Sequence, residues 1–523
     1  MPYAIEDTAN IEFLSTNPEA AISSMTDKCA KYEKSKDTYK FENEDEKRDI
    51  AQSAFALGII YWQGLFGVKH DAEKSIFYYQ LASSLGEQRA MFNLGTIYDF
   101  DFDFKPENST QNDSNTFNVQ QDIPKAVDWY QKASDLNDPF AQTNLGTMYY
   151  FGNDHLEKNI SKAIELFEKA ASQNDSDAET NLGIIYFFGR ETDVDIDKAA
   201  SLFEHAAEKE DSDAQLMLGI IYEDGLSTKY PQNPAKAVEL YRKAAEQGNS
   251  NAQFDLGTCY QQGIGVERDY EKVIEWYSRA SQNGHVDAMY NLAVIYQTGV
   301  KEEDEDFMEL DDDDDDFTYM IKKDLKRSLR YYKRAAELNH PDALFNLGIL
   351  TLENDIDENT DGIENDPEKL NRKMDPNIEK VEFEKRKIQR AQEALTYFQR
   401  AADAGCPEAL FYLGTLYESG SPVPKGQGSE IEEEEEDKGE DDVTAVIHVE
   451  KDLKKAIEYY TKAAELDHMS AQYNLAVIYT NGDEESGVQP DREKATELFK
   501  SAAEKGDADA EYNLKQLLDS ENQ

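Results

Sequence analysis

Apolar residues recur along the chain at intervals of three and four, the period of an amphipathic helix. The segment AQTNLGTMYYFG at residues 141–152 places Ala141, Leu145 and Tyr149 four residues apart, on one helical face. A small residue, Gly146, follows the leucine and would let a second helix approach closely. Gly152 ends the segment in the way glycine ends many helices, by taking a left-handed conformation. The pattern predicts a short helix, called helix A below, that buries one face.

The helix A pattern occurs ten times, and uninterrupted copies are 36 to 38 residues apart. Clear copies start at residues 141, 178, 214, 252, 288, 409 and 471, and weaker ones start near Ser53, Ala90 and Ala343. Positions are numbered below from the central leucine, L. A tyrosine at L+4 is present in nine of the ten copies: Tyr61, Tyr98, Tyr149, Tyr186, Tyr222, Tyr260, Tyr296, Tyr417 and Tyr479.

A second amphipathic pattern, helix B, follows each copy. NISKAIELFEKAA at residues 159–171 is typical: it begins at Asn or Asp, which are good helix N-caps, and ends in small alanines. One aromatic residue stands at a fixed place in all ten copies: Tyr79, Tyr130, Phe167, Phe203, Tyr241, Tyr277, Tyr332, Phe398, Tyr460 and Phe499. The chain therefore reads as ten helix pairs.

The motifs A-x-x-x-L-G-x-x-Y-x-x-G and K-A-x-x-x-Y-x-K-A-A resemble those of the Sel1-like repeat family, over roughly residues 51 to 518. This resemblance implies an all-α fold, a right-handed α/α superhelical solenoid related to tetratricopeptide repeats. It also implies a scaffold or adaptor that assembles other proteins. The secreted, disulfide-linked relatives carry paired cysteines in each repeat, which this chain lacks. Its three cysteines, Cys29, Cys259 and Cys406, are far apart and indicate neither a disulfide framework nor a zinc site.

Four insertions, at about 101–121, 301–320, 352–388 and 421–450, lie between helix A and helix B of their repeats. Two of them are strongly acidic: twelve acids and one lysine in 301–320, eleven acids and two lysines in 421–450. Such segments bury too little apolar area to fold alone. We expect a partly helical N-terminal cap (1–50, with 12–35 and 42–50 as its main parts), repeats over 51–300, 321–420 and 451–523, a capping helix at 510–518, and disorder in 301–320 and 421–450.

The net charge of −54 argues against nucleic acid as a partner and favours proteins, among them basic ones. The acidic insertions could be solvated spacers, could hold a basic client, or could screen the basic stretches at 321–334 and 384–390. No run of about 18 apolar residues is present, which predicts no membrane insertion. The N-terminus lacks the basic and apolar regions of a signal peptide. We expect a cytoplasmic or nuclear protein.

Aromatic residues end the helix A pattern in the first four repeats, whereas later repeats have polar residues there. Clustered exposed aromatics commonly mark an interaction site. They could instead pack on the N-terminal segment or on one another. The candidates for partner binding are Trp62, Phe100, Tyr150, Phe151, Phe187 and Phe188, with Phe102 and Phe104 beside them.

Asparagine recurs at L−1 and is a second candidate. A ladder of Asn side chains could hydrogen-bond an extended peptide, or could satisfy groups within the repeats themselves. These residues are Asn93, Asn144, Asn181, Asn291, Asn346 and Asn474, with Asn513 in the last segment.

Residues 357–368, DENTDGIENDPE, fit the calcium-loop pattern D-x-[DN]-x-[DN]-G-x5-E, with Asp357, Asn359, Asp361 and Glu368 as ligands. Glu364 stands where such loops have an aliphatic residue, and acid-rich sequence produces the pattern by chance. No cofactor motif and no nucleophile, phosphate-loop or zinc-protease motif is present. His285, His340 and His468 share the L−7 position, which predicts turn residues and not catalysts.

The sequence therefore predicts a non-enzymatic scaffold or adaptor, an activator or regulator of a larger complex, that binds one or more proteins through a solenoid surface. An acidic chaperone-like binder of basic proteins is the first alternative. A calcium-regulated adaptor is the second.

Overall fold

The computed structural model describes residues 14, 16–36, 38–100, 102–103, 118–301, 319–353, 376–420, 447, 449–484 and 486–521. The calcium-loop pattern at 357–368 and most of the two acidic insertions, residues 302–318 and 421–446, lie outside these residues. The chain divides into two compact units, Met1–Gln247 and Gly248–Gln523. Each is considered by itself.

In the first unit, helix α1 precedes five helix pairs, which are repeats 1 to 5. Within each repeat, helix A packs on its own helix B, and helix B packs on helix A of the next repeat. The helices are α1 (Pro18–Lys34), α2 (Glu44–Gln63), α3 (Ala72–Ser84), α4 (Gln88–Asp99), α5 (Ile123–Asp135), α6 (Pro139–Phe151), α7 (Ile160–Ala171), α8 (Ser176–Phe188), α9 (Ile196–Glu208), α10 (Ser212–Asp224) and α11 (Pro234–Glu246).

The second unit has five further pairs, repeats 6 to 10, followed by a single helix. Its helices are α12 (Ser250–Gln262), α13 (Tyr270–Gln282), α14 (Val286–Thr298), α15 (Leu325–Glu337), α16 (Pro341–Glu353), α17 (Pro376–Asp403), α18 (Pro407–Ser419), α19 (Leu453–Glu465), α20 (Met469–Asn481), α21 (Arg492–Glu504) and α22 (Ala508–Glu521). The predicted all-α architecture of repeated helix pairs is confirmed.

The close approach of the two helices in each repeat depends on the small residue after the central leucine. The Tyr241 ring of α11 lies against Gly219 of α10, and a Cβ on that glycine would come within 2.5 Å of the ring. Seven other repeats have a Tyr or Phe ring against the same glycine, with a Cβ clash at 2.5–2.7 Å. Ala293 and Ala476 take the glycine's place in repeats 7 and 10. The helix B aromatic is fully or almost fully buried in all ten repeats.

The L+4 tyrosine joins helix A to helix B in two ways. In repeat 5, the backbone N–H of Asn233, the N-cap of α11, donates to the carbonyl oxygen of Tyr222 at 2.7 Å. The ammonium group of Lys236 lies 4.2 Å from the centroid of the same tyrosine ring, a cation–π contact. All nine L+4 tyrosines have a Lys or Arg over the ring. Repeat 8 has Thr351 instead of tyrosine and Glu393 instead of the cation, so both partners are replaced together.

This joint also explains how insertions of different length are accommodated. In repeat 7, the Asp324 N–H donates to the Tyr296 carbonyl oxygen at 2.7 Å, although 27 residues separate the two. Short antiparallel strands enclose the insertions of repeats 2 and 7, namely β1 (Phe102–Asp103) with β2 (Asn118–Val119), and β3 (Val300–Lys301) with β4 (Tyr319–Ile321). These two insertions leave and rejoin the repeat at one place.

Two expected boundaries differ from the structure. The insertion expected at 352–388 ends earlier, because α17 starts at Pro376 and runs for 28 residues. The basic stretch at 384–390 is therefore part of α17. At the N-terminus, residues 44–50 are not a separate cap but the first turns of α2. The cap is α1, whose Met25 and Cys29 are buried in the same core as Phe55 of α2.

The first prediction concerns the contact between Gly219 and Tyr241. Replacing Gly219 by Val should lower the free energy of unfolding by about 1–3 kcal/mol, the usual cost of overpacking a core, because the ring has no space to move into. Urea unfolding checks this. Glu246→Val, on the exposed side of α11, controls for the helix propensity of valine. An equal effect of the two substitutions would contradict the packing argument.

Candidate protein-interaction surface

The structure separates the six candidate aromatics into buried and exposed side chains. Trp62 is only 9% exposed and packs in the N-terminal core, with its ring 5.9 Å from the His70 ring. Of the two alternatives for Trp62, exposure or packing, the structure shows packing, in a core that also contains residues of α1. Phe100 is 55% exposed at the end of α4. The side chain of Phe102 and the whole of Phe104 lie outside what the structure describes.

The other four aromatics belong to repeats 3 and 4, and one arginine joins them. Tyr150 and Phe151 form an edge-to-face pair with ring centroids 5.0 Å apart, and Phe187 and Phe188 form a second one, also at 5.0 Å. The guanidinium of Arg190 lies 5.6 Å from the Tyr150 ring and 5.5 Å from the Phe188 ring. These five residues are called the aromatic cluster below.

Two members of the cluster, Tyr150 and Phe187, have a structural explanation. In five repeats, the L+5 residue hydrogen-bonds the hydroxyl of the buried helix B tyrosine: Asp99 to Tyr130, Glu223 to Tyr241, Gln261 to Tyr277, Gln297 to Tyr332 and Glu418 to Tyr460. Repeats 3 and 4 have Phe167 and Phe203 in place of that tyrosine, so there is no hydroxyl to satisfy. Tyr150 and Phe187 stand at L+5 in these repeats and are half-buried.

The L+6 residues of the same repeats have no such explanation. Phe151 is 70% exposed and Phe188 is 55% exposed, each at the last position of its helix A. In repeats 5 and 6, the same position holds Asp224 and Gln262. An exposed polar residue suits a helix end, whereas an exposed phenylalanine there leaves apolar area in water. Phe151 and Phe188 are the strongest candidates on this surface.

The asparagines at L−1 mostly point into the protein. The Asn474 side-chain amide donates to the Tyr460 hydroxyl at 3.2 Å, from helix A of one repeat to helix B of the preceding one. Asn93, Asn144 and Asn346 bond Tyr79, Tyr130 and Tyr332 in the same way, and Asn291 interacts with Tyr277. Burial raises the pKa of Tyr332 and Tyr460, which keeps these hydroxyls neutral. The asparagine ladder therefore joins successive repeats.

Asn181 differs from these asparagines. The residue at the matching place in the preceding helix B is Phe167, which has no hydroxyl. Asn181 is half-buried and has no hydrogen-bond partner among the residues that the structure describes. It lies on α8, the helix that ends in Phe187 and Phe188.

The three histidines at L−7 are helix N-caps, as their repeated position predicts. His285, His340 and His468 each accept a hydrogen bond at Nδ1 from the backbone N–H three residues later, at 3.2–3.3 Å. Burial lowers the pKa of His285 and His468, so the neutral form that can accept is favoured. The sequence predicts that these residues lie in turns, but it does not predict their capping hydrogen bond.

Cys406 occupies the corresponding position in repeat 9. Its Sγ approaches Glu408 Oε2 at 3.5 Å and Asp342 Oδ1 at 3.7 Å, which groups three potential metal ligands. Burial and these two carboxylates raise the pKa of the thiol to about 12, so the thiolate that binds metal is disfavoured. Cys406 is the buried residue at the start of α18. All three cysteines are free and buried.

A family model for the Sel1 repeat matches twelve segments: 51–87, 116–138, 139–175, 176–211, 212–249, 250–285, 286–306, 318–340, 389–406, 407–428, 447–468 and 470–507. The chain belongs to the Sel1 repeat family. Repeats 7 and 9 are each matched in two pieces, one on either side of an acidic insertion. Sel1 repeat proteins generally act as protein-interaction scaffolds and are typically not catalysts.

Solved structures of several Sel1 repeat proteins are similar to this one. A protective antigen of uropathogenic Escherichia coli with an SLR fold is 24% identical, covering 92% of this chain and 91% of its own, with a TM-score of 0.44. A Sel1 repeat protein from Oxalobacter formigenes is 28% identical, covering 57% of this chain and 100% of its own, with a TM-score of 0.42. The chain has no match among curated proteins. No helix in the described ranges is long and apolar enough to cross a membrane.

The second prediction tests the structural role of the asparagines. Asn474→Ala and Tyr460→Phe should each destabilise the protein, and their double-mutant cycle should show a coupling energy of about 0.5–1.5 kcal/mol, the net value of one hydrogen bond. Asn181→Ala is the matched control, because it faces a phenylalanine, and it should cost less than about 0.5 kcal/mol. A coupling energy of zero would contradict the assignment.

Proposed function

We propose that this Sel1 repeat protein is a non-enzymatic scaffold or adaptor whose partner-binding surface is the aromatic cluster of repeats 3 and 4. The observation that carries the proposal is the exposure of Phe151 and Phe188 at a helix end where repeats 5 and 6 have polar residues. Large aromatic side chains and arginine dominate the energetics of protein interfaces. Arg190, held over two of the rings, adds a cation to the cluster.

The cluster is large enough and stiff enough to anchor a partner segment. Its two edge-to-face ring pairs restrict one another, so less side-chain freedom remains to be lost on binding. Tyr150 and Phe187 are half-buried and fix the base of the surface. Val194, 61% exposed in the loop after α8, adds apolar area close in sequence to Arg190. This chemistry suits an apolar anchor residue of a protein partner.

The charges beside the cluster favour a partner with basic residues flanking that anchor. Asp154 and Glu157 are exposed in the loop after Phe151, and Glu191 and Asp193 are exposed in the loop after Phe188. The chain as a whole carries a net charge of −54. Negative charge beside the cluster speeds the association of basic partners with this surface. The role as an activator or regulator of a larger complex rests on this same surface.

A chaperone-like binder of basic proteins is the alternative, and salt distinguishes the two. Binding through the aromatic cluster depends mainly on apolar contact and should change little between about 50 and about 300 mM NaCl. Binding held mainly by acidic residues should weaken strongly over that range, because salt screens exposed charges. The calcium-regulated adaptor depends on residues outside the described structure and stays a prediction.

The third prediction tests the proposed surface. Phe151→Ser combined with Phe188→Ser should change the free energy of unfolding by less than about 0.5 kcal/mol, because both side chains are exposed. The same variant should lose, by tenfold or more in captured amount, a defined subset of the proteins that wild type captures from cell lysate. Quantitative mass spectrometry of the captured proteins measures this, and thermal unfolding measures the stability.

Phe77→Ser is the matched control, since Phe77 is 45% exposed on α3, outside the cluster. This control should keep the full set of captured proteins. The proposal would be contradicted by an unchanged set of captured proteins in the double variant. It would also be contradicted if the double variant lost stability and all captured proteins together, because the phenylalanines would then be part of the core.

A further inference from the structure

Helix α15 of repeat 7 has a charge pattern opposite to that of the other B helices. Six of those helices have an acidic residue two positions before the buried aromatic: Asp128, Glu165, Glu239, Glu275, Glu458 and Glu497. In α15 that position is Arg330. The residues from 321 to 334 include seven Lys or Arg and a single acid, in a chain with a net charge of −54.

The acid at this position normally has a defined role. In α7, Glu165 accepts a charge-assisted hydrogen bond from Lys169 at 2.6 Å, one turn later. The same pairing is present in α5, α11 and α13, at 2.6–2.7 Å. In α15 the residue one turn after Arg330 is Arg334, so a favourable pair is replaced by two like charges. Like charges four residues apart destabilise a helix.

Arg327 and Arg334 make contacts inside the repeats. Arg327 lies 5.3 Å from the Tyr296 ring centroid and pairs with Asp324 at 3.2 Å. Arg334 donates to the carbonyl oxygen of Ser281 at 3.0 Å. Arg327 is explained by the packing within repeat 7, and Arg334 by the stacking of repeat 7 on repeat 6.

The other cations form one continuous stripe. Lys326, Arg330 and Lys333 follow one another at three- and four-residue intervals, which places them on one side of the helix, and Lys322 and Lys323 lie in the segment just before it. Lys322, Lys323, Lys326 and Arg330 are exposed. Among the residues that the structure describes, Lys322, Lys323 and Arg330 have no ion-pair or hydrogen-bond partner. These five residues are called the basic stripe below.

The position of the basic stripe destabilises the helix further. Lys322, Lys323 and Lys326 surround the N-terminus of α15, which starts at Leu325. Positive charge is unfavourable at a helix N-terminus, because the helix dipole is positive there. A surface that loses a stabilising ion pair and opposes the helix dipole is best explained by a ligand of opposite charge.

We propose that the basic stripe of α15 is a second docking surface, which binds an acidic segment of a partner protein. The stripe extends over about three helical turns, or roughly 15 Å, and matches a short run of Asp and Glu residues. A short acidic polypeptide can be covered by the stripe alone, whereas a longer polyphosphate chain would extend over the rest of a protein whose net charge is −54.

The fourth prediction is tested by fluorescence anisotropy with the full-length chain and a labelled peptide of about ten residues rich in Glu. At about 50 mM NaCl the peptide should bind wild type, and binding should weaken with salt. Lys323→Glu combined with Arg330→Glu should weaken binding at least tenfold. Because Arg330→Glu restores the acid–base pair with Arg334 that other repeats have, this variant should unfold at no lower temperature than wild type.

Lys454→Glu combined with Lys462→Glu is the control, because it makes the same change of charge on α19, where the basic stripe is absent. This variant should bind the peptide as wild type does. A variant lacking 302–318 and a DNA oligonucleotide of equal charge complete the experiment. The proposal predicts two results. Wild type binds the peptide although residues 302–318 are present, and it binds the peptide more tightly than it binds the oligonucleotide.

Three results would overturn the proposal. The first is equal binding of the peptide by wild type and the stripe variant. The second is tighter binding of the oligonucleotide, which would assign the stripe to nucleic acid. The third is peptide binding that appears only after 302–318 is deleted, which would assign the stripe to the acidic segment of this same chain and not to a partner.

Discussion

The contact between an aromatic ring on helix B and a glycine or alanine on helix A sets the spacing of every repeat. A ring such as Tyr241 rests where a glycine Cβ would stand, so the two helices approach as closely as their backbones allow. The other regular features follow from this distance. The L+4 tyrosine can reach the first turn of helix B with both its carbonyl group and its ring. The L−1 asparagine can reach the hydroxyl of the preceding ring.

Much of this architecture could be predicted from sequence, because it depends on residues that recur. The helix pairs, the N-caps, the closing glycines and the location of the insertions all follow from a pattern repeated ten times. The contacts between side chains at different repeated positions were harder to predict from the sequence. The joint replacement of Tyr and Lys by Thr351 and Glu393 in repeat 8 was the available signal for the cation–π contact. The sequence left open whether Trp62 is exposed or packed, because α1, which shares its core, lies outside the repeat pattern.

The candidate surfaces are positions where the repeat pattern is broken and no internal partner accounts for the change. An asparagine that bonds a tyrosine hydroxyl, or a histidine that caps a helix, is explained by the fold. The fold does not explain the phenylalanines at two helix ends, Phe151 and Phe188, or the replacement of an acid by Arg330. A repeat protein offers this comparison within one chain, since neighbouring repeats show what each position needs for folding. Sequence alone could not separate the two classes, because the internal partners are distant in the chain.

Amide hydrogen exchange of the protein with and without a captured partner tests this account most directly. The account predicts that the partner slows exchange in the last turn of α6 and α8 and in the loops that follow, around Phe151 and Phe188. Exchange in the middle of the A helices, where the L−1 asparagines lie, should be unchanged. Slower exchange along those helix centres, with none at the aromatic cluster, would contradict the claim that irregular positions carry the function.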